Sequence, residues 1–435
     1  MKKITKVLVG LLMVGMLFFS CKHNNSDTPD EQNNQEEPGT SDPVTPDPVQ
    51  PKKIEAVTFN PAAGEVETGT KITLATTTDG AVIYYEFVKA DGTVTLTKEN
   101  FKIKKYAEPV EITEAGTLYA IAAESEASTN VSEISKAAYT IIPEDSIRLW
   151  TAESTSKAWS VYNFADLEKL AEIVNGGNTL AGVTITQKAD ITINEAVLGE
   201  NFAEPAEAAE GEPNASLKNF AGIGSKDKPF AGTYDGNAKT IKGLYIYGGQ
   251  QGLGFFGALN AATIKNVIIV DACVVNKNIW TGTKEDGSVN HDGSDDDRFG
   301  GLVGITVKNG GECTIEKCIF VGTVGSKAAY DRDHTYEYIG GIVGRVEEKS
   351  TATLKNCVSL VKLYGSSAAL VKKVSGTVKC TDCIGVSLDK KVYKTKDAES
   401  AALDAEGGVT KADVISAAKT ASGLDLTDYF TKAGL

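Results

Sequence analysis

Histidine is nearly absent from this sequence: three occur among 435 residues, at positions 23, 291 and 334. His23 sits in a polar N-terminal stretch, so chemistry that turns on imidazole has only His291 and His334 to draw on. No His-Glu-x-x-His occurs. The nearest segment, His334-Thr-Tyr-Glu337-Tyr338, has neither the residue order nor the second histidine of a zinc protease. Positive charge is also in deficit, with 44 Lys and Arg against 58 Asp and Glu, a formal charge of −14. An acidic chain with no basic stripe argues against nucleic acid as a partner and against anionic lipid held by the protein surface. The apolar run from Val7 to Phe19 is too short to cross a bilayer comfortably.

That run has a different use. Lys2, Lys3 and Lys6 precede it and Ser20-Cys21 closes it, the layout of a secretory signal over residues 1–20. Leu17-Phe18-Phe19-Ser20-Cys21 resembles a bacterial lipobox. The resemblance implies a diacylglyceryl group on Cys21 and acylation of the new N-terminus by a chain such as palmitate, two anchors where one would hold only weakly. It also implies delivery to the outer membrane, on the cell-surface or periplasmic face, because Lys22 and not Asp follows the cysteine. Removing residues 1–20 leaves 415 residues and, with three lysines lost, a formal charge of −17. Residues 21–52 are Asn, Asp, Glu, Gln, Ser, Thr and Pro with almost nothing apolar, which reads as an unfolded tether. Pro43, Pro46, Pro48 and Pro51 stiffen it toward an extended form.

Residues 53–143 alternate apolar and polar positions in short runs, Lys71 to Leu74, Ala81 to Tyr85, Val110 to Ile112 and Thr117 to Ala122, punctuated by Gly64, Gly69, Gly80, Gly92 and Gly116. Many short strands with turn signals at this spacing predict a β-sandwich. The order Pro61, Gly64, Gly80-Ala-Val-Ile-Tyr-Tyr85, Tyr106, Pro109 to Ile112, Gly116-Thr117 and Tyr139 resembles the immunoglobulin-like domain at the C-terminus of chitobiase-type hexosaminidases. There such a domain is usually an accessory spacer. Adjacent Tyr84 and Tyr85 point to opposite faces of a strand, so at least one is expected in the core.

Four stretches in the second half repeat one another: Gly254-Phe-Phe-Gly257, Gly301-Leu-Val-Gly304, Gly341-Ile-Val-Gly344 and Ala369-Leu-Val-Lys372. Each is followed by a second apolar run: Ile264 to Val267, Ile315 to Cys318, Leu354 to Cys357 and, one position short, Thr381 to Cys383. A two-strand unit that recurs with only loop-length changes cannot bury its apolar face alone, so copies must stack. Asn266, Asn356 and Asp382 share a bend that calls for positive φ, with Lys317 the exception at that site.

The Gly-apolar-apolar-Gly cores resemble the bacterial GLUG motif. Phe230 to Gly236 with Thr240 to Ile246 is similar to the unit that precedes it, and Asn163 to Asn175 to the short helix that opens such regions. The resemblance covers roughly residues 148–390. It implies a right-handed parallel β-helix, assigned to residues 144–395, and residues 396–435 are read as a helical cap or tail. The expected fold class is therefore all-β, an Ig-like β-sandwich followed by a right-handed parallel β-helix with short capping helices. Thr410 is expected to cap a helix through Ser422, stopped by Gly423 and laid over the last unit as the Phe164 to Val174 helix covers the first. The segments Asn201 to Lys228 and Lys277 to Arg298 are expected to be polar, ligand-facing inserts.

Motifs of β-helix enzymes are missing. Pectin hydrolases of this shape carry spaced Asp pairs with Gly-His-Gly and Arg-x-Lys; Asp295-Asp296-Asp297 has neither companion. The loop holding Asp286, Asp292, Asp295 and Asp297 leaves two readings open, a calcium loop of alternating oxygen donors or a solvated loop kept soluble by charge. No other cofactor is expected. Cys318, Cys357 and Cys383 share one repeat position with Val267 and are expected to point into the core as a ladder. The reading is a lipoprotein that binds glycans or host or matrix proteins and is not an enzyme. Its expected contacts are Trp280, Tyr330, Tyr336 and Tyr338. Two alternatives stay open: a polysaccharide-degrading β-helix enzyme and a structural envelope protein.

Overall fold

The computed structural model describes residues 52–249, 252–277, 298–328, 338–364, 367–388, 391–394, 400–402 and 410–435. The leader, Cys21 and the tether up to residue 51 lie outside the described residues. Those described are mostly β with few helices, as the class expectation had it.

The N-terminal unit has its own buried cluster between Ile54 and Tyr139. Thr58–Asn60, Thr70–Ala75 and Val110–Ile112 form one antiparallel sheet. A second sheet orders Gly64–Val66, Ser135–Ile141, Gly116–Ala123, Val82–Lys89 and Lys104–Lys105. Strand alternation splits the tyrosine pair, as the period of two requires. Tyr85 joins the main cluster, while Tyr84 faces the opposite side beneath Leu96 and Phe101. Each is 6% exposed, so neither is a platform for a sugar.

From Ala158 onward the strands of successive repeats pair in parallel. The longest ladder takes Ala158–Val161, Thr184–Gln187, Thr233–Asp235, Thr263–Lys265, Glu312–Glu316, Thr351–Lys355 and Thr377–Thr381 in chain order. Its inward positions, Ile185, Tyr234, Ile264, Ile315 and Leu354, are fully buried. Outward lie a threonine row, Thr184, Thr233, Thr263, Thr314 and Thr353, and a row of alternating charge, Asp235, Lys265, Glu316 and Lys355. A second ladder contains Ile268–Asn276, Ile319–Val324, Val358–Leu363 and Ile384–Ser387. A third joins Phe256–Leu259, Val303–Thr306, Val343–Val346 and Val371–Val374, and a fourth Arg298–Gly300, Tyr338–Gly340 and Ser367–Ala368.

The motif alignment is the register of these ladders: Phe256, Val303, Val343 and Val371 are neighbours in turn. The fourth copy is not short. Cys380 pairs with Leu354, so its second run reads Cys380-Thr-Asp-Cys383. A cysteine in the slot occupied elsewhere by Ile or Leu hid the match. The first glycine of each motif has a steric cause. A Cβ on Gly301 would lie 2.4 Å from the carbonyl oxygen of Gly341, and one on Gly341 would lie 2.0 Å from that of Ala369. Ala369 lies between Ser367–Ala368 and Val371–Val374, the last strands of the fourth and third ladders among the described residues. The bend positions all take positive φ: Asn266 54°, Lys317 52°, Asn356 50° and Asp382 52°. Lys317 follows its neighbours into this region despite its side chain, since the bend is set by the stack.

Val267, Cys318, Cys357 and Cys383 are stacked and buried, and the thiols are free. The Cys318 and Cys357 thiols donate to the carbonyls of Ile264 and Ile315 in the preceding repeats, at 3.7 and 3.4 Å. The backbone N–H of Cys357 donates to Cys383 Sγ at 3.4 Å.

Helix α1, Phe164–Asn175, is capped by the Asn163 side chain and buries Leu167, Leu170 and Val174 at the start of the stack. Helix α2, Lys411–Ser422, begins at Thr410 in a capping box with Asp413 and ends at Gly423, φ 81°, as expected. Its location differs from the expectation: α2 packs against Val358–Leu363. Helix α3, Thr427–Lys432, reaches the turn Glu200–Phe202, and Lys432 pairs with Asp271 at 2.7 Å. The last parallel strand, Ile384–Ser387, is instead flanked by an antiparallel one, Lys391–Lys394, which pairs in turn with Ser400–Ala402. The insert at 201–228 is not a projecting loop. Phe202, Phe220 and Ile223 are buried in the common core, Thr323 donates to the Phe202 carbonyl, and Tyr364 donates to Glu204. Apolar residues at both ends of the insert draw it onto the second ladder.

Candidate binding cleft

Two inserts leave the stack at matching positions. Val274 lies opposite Val324 before them, and Arg298 lies opposite Tyr338 where the chain returns. Segments 278–297 and 329–337 therefore begin and end on adjacent repeats. Of the expected contact residues only Tyr338 falls among the described ones. Trp280, Tyr330, Tyr336 and the calcium candidates Asp286, Asp292, Asp295 and Asp297 lie outside the described residues.

Beside the return point is a cleft of about 220 Å³. Lys226, Arg298, Lys308 and Arg345 line it with Glu347 and Glu348, and Ile305 and Val307 form its apolar wall. The ladders bring these residues together: Ile305 and Arg345 are neighbours in the third, Arg298 and Tyr338 in the fourth. Glu347 lies at the centre. Its Oε1 accepts from Arg298 Nη1 at 2.6 Å, and its Oε2 is 3.2 Å from Arg345 Nη2. Its backbone N–H donates to Thr306 Oγ1 at 3.1 Å, and its carbonyl accepts from Ser350 Oγ at 2.7 Å. Thr306 and Ser350 join their hydroxyls at 2.6 Å, completing a buried brace.

The Arg345 guanidinium also lies 5.2 Å from the centre of the Tyr338 ring, a cation–π contact. Its Nε is buried with no hydrogen-bond partner. On the rim Lys308 pairs with Glu348 at 2.8 Å, and that hydrogen bond holds the Glu348 carboxyl below its ordinary pKa. Each carboxylate oxygen of Glu347 thus faces a guanidinium group. Among the described residues the cleft is lined by four cationic side chains and two carboxylates.

A larger, shallower depression of about 640 Å³ lies in the N-terminal unit, around Glu86, Asp91 and Glu114. The Glu86 carboxylate is already taken by the N–H groups of Thr95 and Leu96 and by the Thr95 hydroxyl. Among the described residues no group of three His, Cys, Asp or Glu side chains is placed to hold a metal ion. The chain matches no protein-family model, no curated protein and no solved structure.

Arg345, Glu347, Thr306 and Ser350 were not anticipated from the sequence. One signal pointed to them: arginine occurs four times in the whole chain, and two of the four, Arg298 and Arg345, meet at this carboxylate.

Proposed function

We propose that the protein is an outer-membrane lipoprotein, anchored through Cys21 and held off the membrane by residues 21–52, whose folded part binds an extracellular ligand and performs no catalysis. In this reading residues 53–143 are an Ig-like β-sandwich acting as a spacer. Residues 144–395 are a right-handed parallel β-helix of the GLUG type, and the ligand is a glycan or a host or matrix protein. The observation that carries it is the matched attachment of two inserts on adjacent repeats beside a braced cationic cleft. Parallel ladders with one strand per repeat support the β-helix reading, and two facing sheets around one cluster support the sandwich. The aromatic residues Trp280, Tyr330 and Tyr336 belong to the proposal through their place in the inserts, and Tyr338 through its contact with Arg345.

A glycan-array screen of the full chain in mild detergent tests the binding claim, and deletion of residues 284–297 is expected to abolish capture while leaving the melting profile intact. Turnover of any polysaccharide by the purified chain would overturn it. The anchor is tested by metabolic labelling with a palmitate analogue: the wild type should incorporate label, and persistence in Cys21→Ala would refute lipidation there.

A further inference from the structure

Within the cleft the Arg345 side chain stands out. It is 15% exposed, one terminal nitrogen faces Glu347, and its Nε is buried without a partner. An unmade hydrogen bond on a buried cation is costly, and such a group in a native fold calls for an explanation. The surrounding structure does not relieve it. Thr306 and Ser350 hold the Glu347 backbone, and Arg298 holds one oxygen of its carboxylate, so that carboxylate is shared between two guanidinium groups. The brace does more than neutralise one guanidinium. It aligns a second one over the Tyr338 ring, with the cleft open to Lys308 on one side and to Ile305 and Val307 on the other.

We infer that this cleft takes the carboxylate of an acidic sugar unit, with Arg345 as the principal contact. The inference rests on the binding reading above and names its ligand class. A guanidinium fork fits a carboxylate in two parallel hydrogen bonds, which a lysine in its place would not supply. The volume, about 220 Å³, is below the roughly 300 Å³ at which sites for drug-sized ligands begin, so the cleft accepts one charged unit of a chain and not a chain in cross-section. The Ile305–Val307 wall offers apolar surface to the face of the sugar ring, as mixed polar and apolar sugar sites require. Lys308, already paired with Glu348, adds charge at the rim and governs approach more than grip.

The test is a titration of the full chain in mild detergent with three polymers of one backbone size: polygalacturonate, which carries carboxylates, dextran sulfate, which carries sulfates, and neutral dextran. Polygalacturonate is expected to bind, more weakly as salt rises, and neutral dextran not to bind. Arg345→Ala should weaken polygalacturonate binding by about tenfold or more, the loss of a charge-assisted hydrogen bond, and Arg345→Lys should recover only part of it. Lys308→Ala, on the rim, should fold normally and weaken binding by a smaller factor, so the claim stays testable if Arg345→Ala misfolds. Equal affinity of wild type, Arg345→Ala and Lys308→Ala for polygalacturonate, or preference for dextran sulfate, would overturn the carboxylate assignment. Glycans captured on the array but untouched by these variants would leave the binding reading standing and refute this site alone. Capture of nothing on the array or in the titration would refute both.

Discussion

Replacing Gly341 by alanine should be among the most damaging one-carbon changes in the stack. The added Cβ would lie 2.0 Å from the Ala369 carbonyl oxygen and 2.9 Å from its carbon, both backbone atoms of the next repeat. A side chain could swing away from such a contact, but a carbonyl in a ladder can move only with its strand. Relief therefore means parting the repeats where the Gly341 N–H donates to Ala368 at 2.9 Å and the Ile342 N–H to Leu370 at 3.0 Å. Overpacking costs about 1–3 kcal/mol, and weakening two backbone hydrogen bonds worth about 1 kcal/mol each puts this case near the upper end, about 3 kcal/mol. Gly80→Ala is the comparison, since its Cβ would meet nothing within 4 Å and its φ of +74° alone is disturbed, at about 1 kcal/mol. Urea unfolding followed by circular dichroism measures both. Because stacked repeats unfold in parts, hydrogen exchange at Gly341 and Ile342 should localise the loss. If Gly341→Ala cost no more than Gly80→Ala, the steric account of the motif glycines would be wrong.

Cys318, Cys357 and Cys383 should resist a thiol reagent in the native protein and react together in urea, and rapid native labelling of all three would contradict the stacked arrangement. Burial raises the Cys357 thiol well above its ordinary pKa, and the hydrogen bond to Cys357 pushes Cys383 up to about 12. The unfolded chain ionises first, so this contribution is complete below about pH 8.5 and is lost as pH rises toward 12. The urea midpoint of the wild type should accordingly fall more steeply between pH 9 and 11 than that of Cys383→Val, and parallel curves would refute the assignment. Lys317→Asn, at φ 52°, should stabilise by about 0.5–1 kcal/mol, because asparagine tolerates the left-handed region that the bend imposes; a lower urea midpoint would count against that reading.

The features readable from the sequence were those a repeat states several times over. Gly301 and Gly341 face the same steric demand in successive copies, and Asn266, Asn356 and Asp382 the same bend, so each recurs at fixed spacing. The α2 caps were legible for a second reason: Thr410, Asp413 and Gly423 act within one turn of the helix they bound. What escaped was unique or distant. Cys380 departs from the apolar consensus, and only strand register shows it in place. The polar look of residues 201–228 concealed three anchoring side chains, Phe202, Phe220 and Ile223, that decide where the insert lies. The cleft joins Arg298 and Thr306 of one repeat to Arg345 and Glu347 of the next, and no local pattern encodes a meeting of that kind.

The row Asp235, Lys265, Glu316 and Lys355 acts as a parity check on assembly. Read along the stack, the sign alternates once per repeat, and Lys265 closes on Asp235 at 3.0 Å. Apolar positions inside the stack are nearly interchangeable, so a chain that skipped one repeat while folding, or borrowed one from a second molecule out of step, would lose little there. Along this row it would set lysine against lysine or acid against acid, and like charges directly opposite are unfavourable by a few tenths of a kcal/mol or more each. The error would fall at the junction of the skip alone, because the repeats beyond it keep their alternating order.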